Sequence, residues 1–204
     1  MSSSVATPLR QYWAGLRVLL VLTVILGVLY PLAVTGVGQL LFRGQANGSL
    51  VKAIGTVVGS SLIGQNFTDG KGNPLPQWFQ SRPSAAGAGG YDPTSSSATN
   101  LGPNSPVLVK AIQARRAAAA ALDGVAPASV PPDALTSSGS GLDPQISPAY
   151  AYEQVDRVAK TRGLDPAAVR ALVAGLVRGR ALGFLGEQTV DVLQLNIALA
   201  ELHG

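Results

Sequence analysis

The chain has 204 residues, 47% of them hydrophobic and 13% charged, and its 15 Lys and Arg against 11 Asp and Glu give a net charge of +4. Cysteine is absent and His203 is the single histidine, which excludes a disulfide framework and a thiolate metal site. The basic residues form no cluster interleaved with aromatic residues, so nucleic acid is not an expected partner.

An uncharged apolar segment runs from Val18 to Phe42. As a helix with a rise of 1.5 Å per residue it is about 37 Å long, more than the ~30 Å of bilayer hydrocarbon. A signal peptide is the alternative, but its apolar region spans only about 7 to 15 residues and ends at a cleavage site of small residues. A retained transmembrane helix in contact with lipid is therefore predicted.

The charges beside this segment predict its orientation. The short preceding tail carries Arg10 and Arg17 and no acidic residue, which favours a cytoplasmic N-terminus. We therefore predict a cytoplasmic tail at residues 1–17, a transmembrane helix at 18–42 and an extracytoplasmic domain at 43–204.

Small or polar residues recur every four positions within the predicted helix and form one stripe. Such residues mark helix-packing faces in membranes, because they allow close backbone approach and hydrogen bonds between helices. The alternative is that Gly, Pro and Thr are simply more frequent in membrane helices. The stripe predicts a partner helix and consists of Thr23, Gly27, Pro31, Thr35 and Gln39.

The rest of the sequence predicts an α+β domain with a small sheet and about four helices. Residues 50–54 and 56–63 are β-branched and separated by Gly55, which predicts a hairpin. A Ser-Pro or Asp-Pro pair precedes each of three predicted helices, at 107–122, 148–162 and 166–181, and the first two end at Gly124 and Gly163. A strand at 189–192 and a helix at 193–202 complete the prediction.

Two long segments, 81–102 and 127–143, are rich in Ser, Gly and Pro. Connections of this length inside a domain are generally either functional or disordered. Fixed points such as Arg82-Pro83 and Asp143-Pro144 favour the functional interpretation, because each proline restricts its own φ and the residue before it.

Catalytic patterns are incomplete. Ser49 and Lys52 match Ser-x-x-Lys but lack its companion motifs, and residues 64–71 depart from a phosphate loop in spacing and in the residue that follows the lysine. Asp133 and Asp143 are interpreted as turn or cap residues, and His203 as a solvated residue. Neither a catalytic residue nor a metal site is predicted.

Four motifs follow one another along the chain: Gln80-Ser-Arg-Pro-Ser84, Asn100-Leu-Gly-Pro103, Ser138-Gly-Ser-Gly-Leu-Asp-Pro144, and Leu185-Gly-Glu187 followed by Val192-Leu-Gln-Leu-Asn196. In this order they resemble one family, the C subunit of the Kdp-type potassium-transporting P-type ATPase. Departures from the family pattern stand at Ser137, Gln145, Gln188 and Thr189.

The resemblance implies a non-catalytic accessory subunit in a bacterial cell (inner) membrane. Its implied partners are a potassium-channel-like subunit and a P-type ATPase subunit, which it would assemble and stabilise for high-affinity potassium uptake. ATP, magnesium and potassium would be used by the complex, with no cofactor held by this chain. The candidate partner contacts are Ser81, Arg82, Pro83, Asn100, Leu101, Gly102, Pro103, Ser138, Gly139, Ser140, Gly141, Leu142, Asp143 and Pro144.

Three alternatives stay open. The Ser138–Gly141 loop could offer backbone amides to ATP as a nest, although a Gly-Ser turn explains the same residues. An anchored extracytoplasmic hydrolase would use Ser49 or Ser140 as its nucleophile. Arg82 could bind a neighbouring subunit or form a salt bridge within its own domain.

Overall fold

The computed structural model describes residues 6–202 as two compact units, one ending at Ser49 and the other starting at Leu50. His203 lies outside the described residues. The second unit carries two small antiparallel sheets and several helices, so the predicted α+β class is confirmed.

The first unit is dominated by one long apolar helix. Helix α1 (Ala6–Val24) continues through a π-helical turn (Ile25–Leu29) into α2 (Tyr30–Leu41), and a short helix α3 (Arg43–Ala46) follows. The stretch Leu9–Leu41 is long and apolar enough to cross a membrane, and none of its most apolar window is buried within the protein. Such a surface is stable where lipid covers it.

The π turn has a local cause. Pro31 has no N–H and its ring would clash with the carbonyl of residue 27 in a regular α-helix. The wide turn immediately before Pro31 changes this spacing, and the backbone N–H of Tyr30 donates to Ile25 O instead.

The second unit opens with the predicted hairpin. Strands β1 (Leu50–Ala53) and β2 (Thr56–Ser60) pair antiparallel, with a register shift between Val51 and Lys52. The second sheet pairs β3 (Gln145–Ile146) with β4 (Val190–Asp191), and β3 was not predicted from the sequence.

The predicted helix starts are confirmed at all three prolines. Helix α4 spans Pro106–Asp123 and ends at Gly124, whose φ is 70°. Helices α5 (Pro148–Glu153) and α6 (Val155–Arg162) replace the single predicted helix and are separated by the buried Gln154. Helix α7 is Pro166–Leu176 and α8 is Val192–Glu201.

The predicted extension of α7 to residue 181 is wrong. Val177 is extended, and Arg178 exchanges both backbone hydrogen bonds with Thr189. The residues between them form a hairpin-like arm, which we define as residues 177–189.

Helices α5 to α8 enclose the core of this unit. All four helices contribute fully buried members, which include Ala151 from α5, Val155 and Val158 from α6, Val173 from α7, and Leu195 and Leu199 from α8. Phe79 is also fully buried, which brings the extended chain before residue 84 into the core.

Candidate partner-contact site

The extended segment 79–84, which contains the first family motif, is held by buried side-chain amides. Asn196 accepts from Phe79 N at 2.9 Å and donates to Phe79 O at 3.0 Å. Gln154 forms the same reciprocal pair with Gln80, at 2.6 and 3.2 Å. Each amide therefore imitates a neighbouring strand and satisfies backbone groups that burial would otherwise leave unpaired. The motif residues Gln80 and Asn196 therefore stabilise the fold through buried hydrogen bonds.

A buried ion pair fixes the same region from the other side. Arg157 Nε lies 2.6 Å from Asp123 Oδ1, and both side chains are almost fully buried. The guanidinium also donates to Trp78 O at 2.9 Å and to Gln154 Oε1 at 2.7 Å. Because all of these groups are buried together, removing one partner would leave an unpaired charge in the core.

Arg82, at the end of this segment, clamps two distant loops. Its Nη1 lies 3.1 Å from Asp143 Oδ2, and its Nη2 donates to Thr136 O at 3.2 Å. Its Nε is buried without a hydrogen-bond partner. The structure thus brings the predicted site residues Arg82 and Asp143 together, in the intramolecular arrangement that was one of the two alternatives.

The Ser138–Asp143 loop is ordered by its own polar groups. Gly141 N donates to Ser138 Oγ at 2.9 Å, Leu142 N donates to Ser140 Oγ at 3.1 Å, and Ser140 Oγ lies 3.3 Å from Asp143 Oδ1. One amide of the Ser138–Gly141 nest, that of Gly141, and the amide of Leu142 that follows it are therefore already donated within the loop.

The loop also docks on the first long connection, 81–102. Ser84 Oγ donates to Gly141 O at 2.6 Å, and Ser97 N donates to Ser140 O at 3.0 Å. A Cβ added at Gly141, whose φ is 70°, would stand 2.8 Å from Ser97 O and 2.9 Å from Ala86 N. The backbones approach too closely for any other residue.

Tyr91 and Gly64 complete this packing, and sequence reasoning missed both roles. Tyr91 is buried, its hydroxyl donates to Arg82 O at 3.0 Å, and burial raises its pKa to about 12, so it remains a donor at neutral pH. Gly64 N donates to Leu142 O at 2.9 Å, and a Cβ at Gly64 would clash with Asp143 O. A lone tyrosine within a Gly-rich loop was the available signal for a buried anchor.

An open groove of about 550 Å³ lies beside the clamp. Residues from three separate motifs line it: Arg82 from the first, Asp143 from the Ser-Gly loop and Glu187 from the arm. Asp133 lies on its wall, where it accepts from Ser147 N at 2.7 Å and from Ser147 Oγ at 2.9 Å. Three carboxylates and one guanidinium line the groove, but most of its exposed surface is apolar, with Pro131, Pro132, Ile146 and Ala149 in the lining.

The arm beside the groove ends in exposed apolar side chains. Leu182, Phe184 and Leu185 are 83%, 68% and 51% exposed, and Leu182 has a φ of 53°. A large apolar residue at positive φ in solvent contributes nothing to folding. Together with the groove, the arm tip forms a surface suited to contact with another protein.

The second family motif does not line the groove; it consists of Asn100, Leu101, Gly102 and Pro103. All four residues are exposed in the segment before α4, where Ser105 N donates to Gly102 O and Asn100 has a φ of 51°. The structure assigns them a turn before the helix.

The stripe of the long helix is partly used within the first unit. Thr35 Oγ1 donates to Pro31 O at 2.8 Å, and Gln39 exchanges side-chain amide hydrogen bonds with Asn47 at 3.3 and 3.1 Å. Gly27 leaves open space, since a Cβ there would meet only Thr23 Cγ2, at 3.9 Å. Thr35 and Gln39 thus form hydrogen bonds within the first unit, whereas the space beside Thr23 and Gly27 stays open.

The parts of a hydrolase are not brought together in residues 6–202. Lys52 is an exposed strand residue just after Ser49, and Ser140 lies beside Asp143 with its hydroxyl in the loop network. The described residues also contain no group of three or more His, Cys, Asp or Glu side chains that could hold a metal ion.

The described residues 6–202 define a class of protein, one with a single helix able to span a membrane followed by an α+β domain that carries an open groove. Residues 12–201 match the family described as "KdpC: K+-transporting ATPase, c chain". The chain belongs to this family, and the resemblance inferred from the motifs is confirmed.

Similar proteins cover nearly the whole chain. A "Potassium-transporting ATPase KdpC subunit" of Kineococcus radiotolerans is 58% identical over 199 residues, which are 98% of this chain and 97% of the relative. Proteins with the same name from Streptomyces avermitilis and Methylococcus capsulatus are 52% and 48% identical, over 99% and 96% of this chain and 98% and 100% of the relatives.

Proposed function

We propose that this chain is a non-catalytic accessory subunit of an ATP-driven potassium uptake complex, in which it joins and stabilises a potassium-channel-like subunit and a P-type ATPase subunit. The name shared by its relatives supports the assignment of this chain to a potassium-transporting ATPase complex. ATP, magnesium and potassium are then used by the other subunits.

The observation that carries the assembly role is the convergence of three motifs on one open groove, which is lined in part by the base of the arm, while the arm ends in exposed apolar side chains. The fold itself needs Gln80 and Asn196, but it gains nothing from exposing Leu182 and Phe184. Exposed apolar residues near a groove that combines apolar and charged lining residues are typical of a protein–protein interface.

The membrane arrangement belongs to the same proposal. The long helix spans the bacterial cell membrane with its N-terminus in the cytoplasm, and its Thr23–Gly27 face packs against a partner helix. The domain after it lies outside the cytoplasm, where ATP is absent. The amides donated within the Ser138–Asp143 loop also favour an assembly role over assistance in ATP binding.

The arm tip provides the test. Leu182→Asn with Phe184→Ser, in a tagged full-length chain expressed with its partner subunits, should lower the yield of co-purified subunits about tenfold, equivalent to ~1.4 kcal/mol. The melting temperature of the chain should not fall, because both side chains are exposed and Asn suits a positive φ.

Val107→Ser is the matched control, since Val107 is 62% exposed at the start of α4 and away from the arm. Undiminished yields of the complex from the arm variant would contradict the proposed contact.

A further inference from the structure

The β1–β2 hairpin forms a sheet of only two strands, so each strand has one outer edge. The chain itself covers the edge of β2: Gln65 Nε2 donates to Val58 O at 2.7 Å, and Ile63 N donates to Ser60 O at 3.4 Å. No strand within residues 6–202 pairs with the outer edge of β1. The edge of β1 is therefore the open edge of this sheet.

Lys52 presents its backbone at this open edge. The two-residue turn Ile54–Gly55 makes Ala53 and Thr56 the hydrogen-bonded pair that closes the hairpin. In an antiparallel ladder such pairs alternate with pairs whose backbone groups face outwards, and Lys52, opposite Val57, belongs to the second kind. Its N–H and C=O therefore point away from β2, where a further strand could bond to both.

The side of the hairpin that carries Ala53 faces a mostly apolar cleft of about 240 Å³, whose other wall includes α8. Two of its polar lining residues are already engaged, because Gln65 donates to Val58 O and the side-chain amide of Asn196 binds the backbone of Phe79. Glu201 lies in the lining and is exposed. The cleft therefore favours an apolar side chain. Its apolar lining includes Ala53 and Val58 from the hairpin and Trp78, Leu193 and Ile197 from the rest of the domain.

The alternation of side chains along a strand links the open edge to the cleft. In a strand added at the edge, the residue opposite Lys52 would place its side chain on the solvent face, beside the ammonium group of Lys52. The residues before and after it would point to the other face, beside Ala53 and the cleft. An acidic residue between two apolar residues therefore complements this edge.

The backbone groups at the edge select a strand as the occupant. A helix keeps its own backbone groups bonded, and lipid tails carry neither donor nor acceptor. A second copy of this chain is less favoured, because the twofold pairing centred on Lys52 would set two like charges directly opposite each other. Lys52 thus disfavours self-association and leaves the edge open to a segment of opposite charge.

We propose that the outer edge of β1 binds an extended segment of a partner subunit, which adds a third strand to the hairpin. This segment carries an acidic residue opposite Lys52 and apolar residues on both sides of it. Backbone hydrogen bonds at Lys52 provide affinity, while the charge of Lys52 and the cleft provide specificity. The docking rests on the proposed membership in the complex and is separate from the contact proposed for the arm.

Hydrogen exchange of single amides tests the added strand in the unmodified chain. The tagged full-length chain is measured alone and in the complex with its partner subunits, in the same nanodiscs, by mass spectrometry with fragmentation. The Lys52 amide should exchange at least about tenfold more slowly in the complex. The Ala53 amide, which faces β2 in both samples, is the internal control and should change less than about twofold.

The exchange rates separate the alternatives. Equal slowing at Lys52 and Ala53 would mean that the whole hairpin is stabilised, which would contradict an added strand. Unchanged exchange at Lys52 in an intact complex would overturn the strand and leave the proposed function standing, whereas failure to co-purify with the subunits would overturn both. Slowing in the chain alone that grows with its concentration would place a second copy at the edge and contradict the proposal.

Two substitutions at Lys52 separate the backbone from the side chain. Lys52→Pro removes the outward N–H, which the pairing with β2 does not use, so the hairpin can accommodate it. Lys52→Ala is the matched control, because it removes the charge and keeps the N–H. We expect the proline variant to lower the yield of co-purified subunits about tenfold and the alanine variant about threefold or less. Equal yields from both variants would contradict strand addition.

Discussion

Gly141 is the residue on which the order of the Ser138–Asp143 loop depends. Its positive φ and the close approach of Ser97 and Ala86 leave no space for a side chain. Gly141→Val should destabilise the domain by about 1–3 kcal/mol and lower potassium-stimulated ATPase activity of the assembled complex. The apparent affinity for ATP should not change.

Gly139→Val is the control within the same loop, because a Cβ at Gly139 meets nothing within 4 Å. Thermal melting of both variants and ATPase assays over a range of ATP concentrations check the prediction. A change confined to the ATP dependence would instead support the nucleotide-contact alternative.

Arg82 should behave as an internal clamp. Its two terminal nitrogens bind Asp143 and Thr136, a fork that lysine cannot reproduce. The pair is partly exposed, so Arg82→Lys should cost only about 1 kcal/mol, or about 3 °C in melting temperature for a domain of this size. An unchanged melting temperature with loss of the complex would assign Arg82 to a partner subunit instead.

Glu153 makes the domain less stable in alkaline solution. Burial raises the pKa of Glu153 to about 7, helped by repulsion from Asp123 and Asp133, and its Oε1 is buried without a hydrogen-bond partner. The folded state prefers the protonated acid. The contribution of Glu153 to the free energy of unfolding is therefore fully present below the ordinary pKa of 4.5 and is lost as the pH rises through about 7.

Glu153→Gln should therefore raise the melting temperature at pH 8 and leave it nearly unchanged at pH 5. The exposed Glu201→Gln is the matched control. If the melting temperatures of wild type and Glu153→Gln differed by the same amount at pH 5 and pH 8, Glu153 would not be the titrating group.

At the scale of single elements, the long helix gives the clearest prediction. Gly27 lies in the π turn with open space around it, so Gly27→Leu should be accommodated by the helix itself. It should nevertheless reduce assembly more than Val28→Phe, because it blocks the close approach of a partner helix. The yield of intact complex from each variant is the measurement, and equal yields would argue against packing through the stripe.

Local signals predicted the elements that depend on local physics. Proline after Ser or Asp starts α4, α5 and α7, and a glycine at positive φ ends α4 and α6. These signals work because a fixed φ, a side-chain cap and a left-handed residue each act within one turn of chain.

The elements that the sequence did not predict depend on distant partners. Strand β3 has only two residues and exists because Gln145 and Ile146 pair with residues more than 40 positions away. Helix α7 ends early because Arg178 pairs with Thr189, and α5 and α6 separate at Gln154, which binds the backbone of Gln80. No local periodicity records such contacts.

At the scale of the whole molecule, the residues of the candidate site were predictable from local motifs, but their contacts were not. The motifs predicted that Arg82 and Asp143 matter, but whether they pair with each other or with a partner depended on packing across 61 positions. The groove, the arm tip and the role of Tyr91 arise only when several loops meet.

The charges before the long helix also predict the topology of the molecule. With the N-terminus in the cytoplasm, a reporter fused after Gly204 that is active only outside the cytoplasm should be active in cells. Activity of a cytoplasmic reporter at the same position would place the domain beside ATP and reopen the nucleotide-contact alternative.

In the proposed function, this chain holds the potassium-channel-like and ATPase subunits together. The most direct measurement is the amount of ATPase subunit recovered with a tagged channel-like subunit, from membranes that contain or lack this chain. We predict that omitting the chain abolishes co-purification and that supplying it in trans restores it. Recovery of the two subunits in full yield without this chain would contradict the claim.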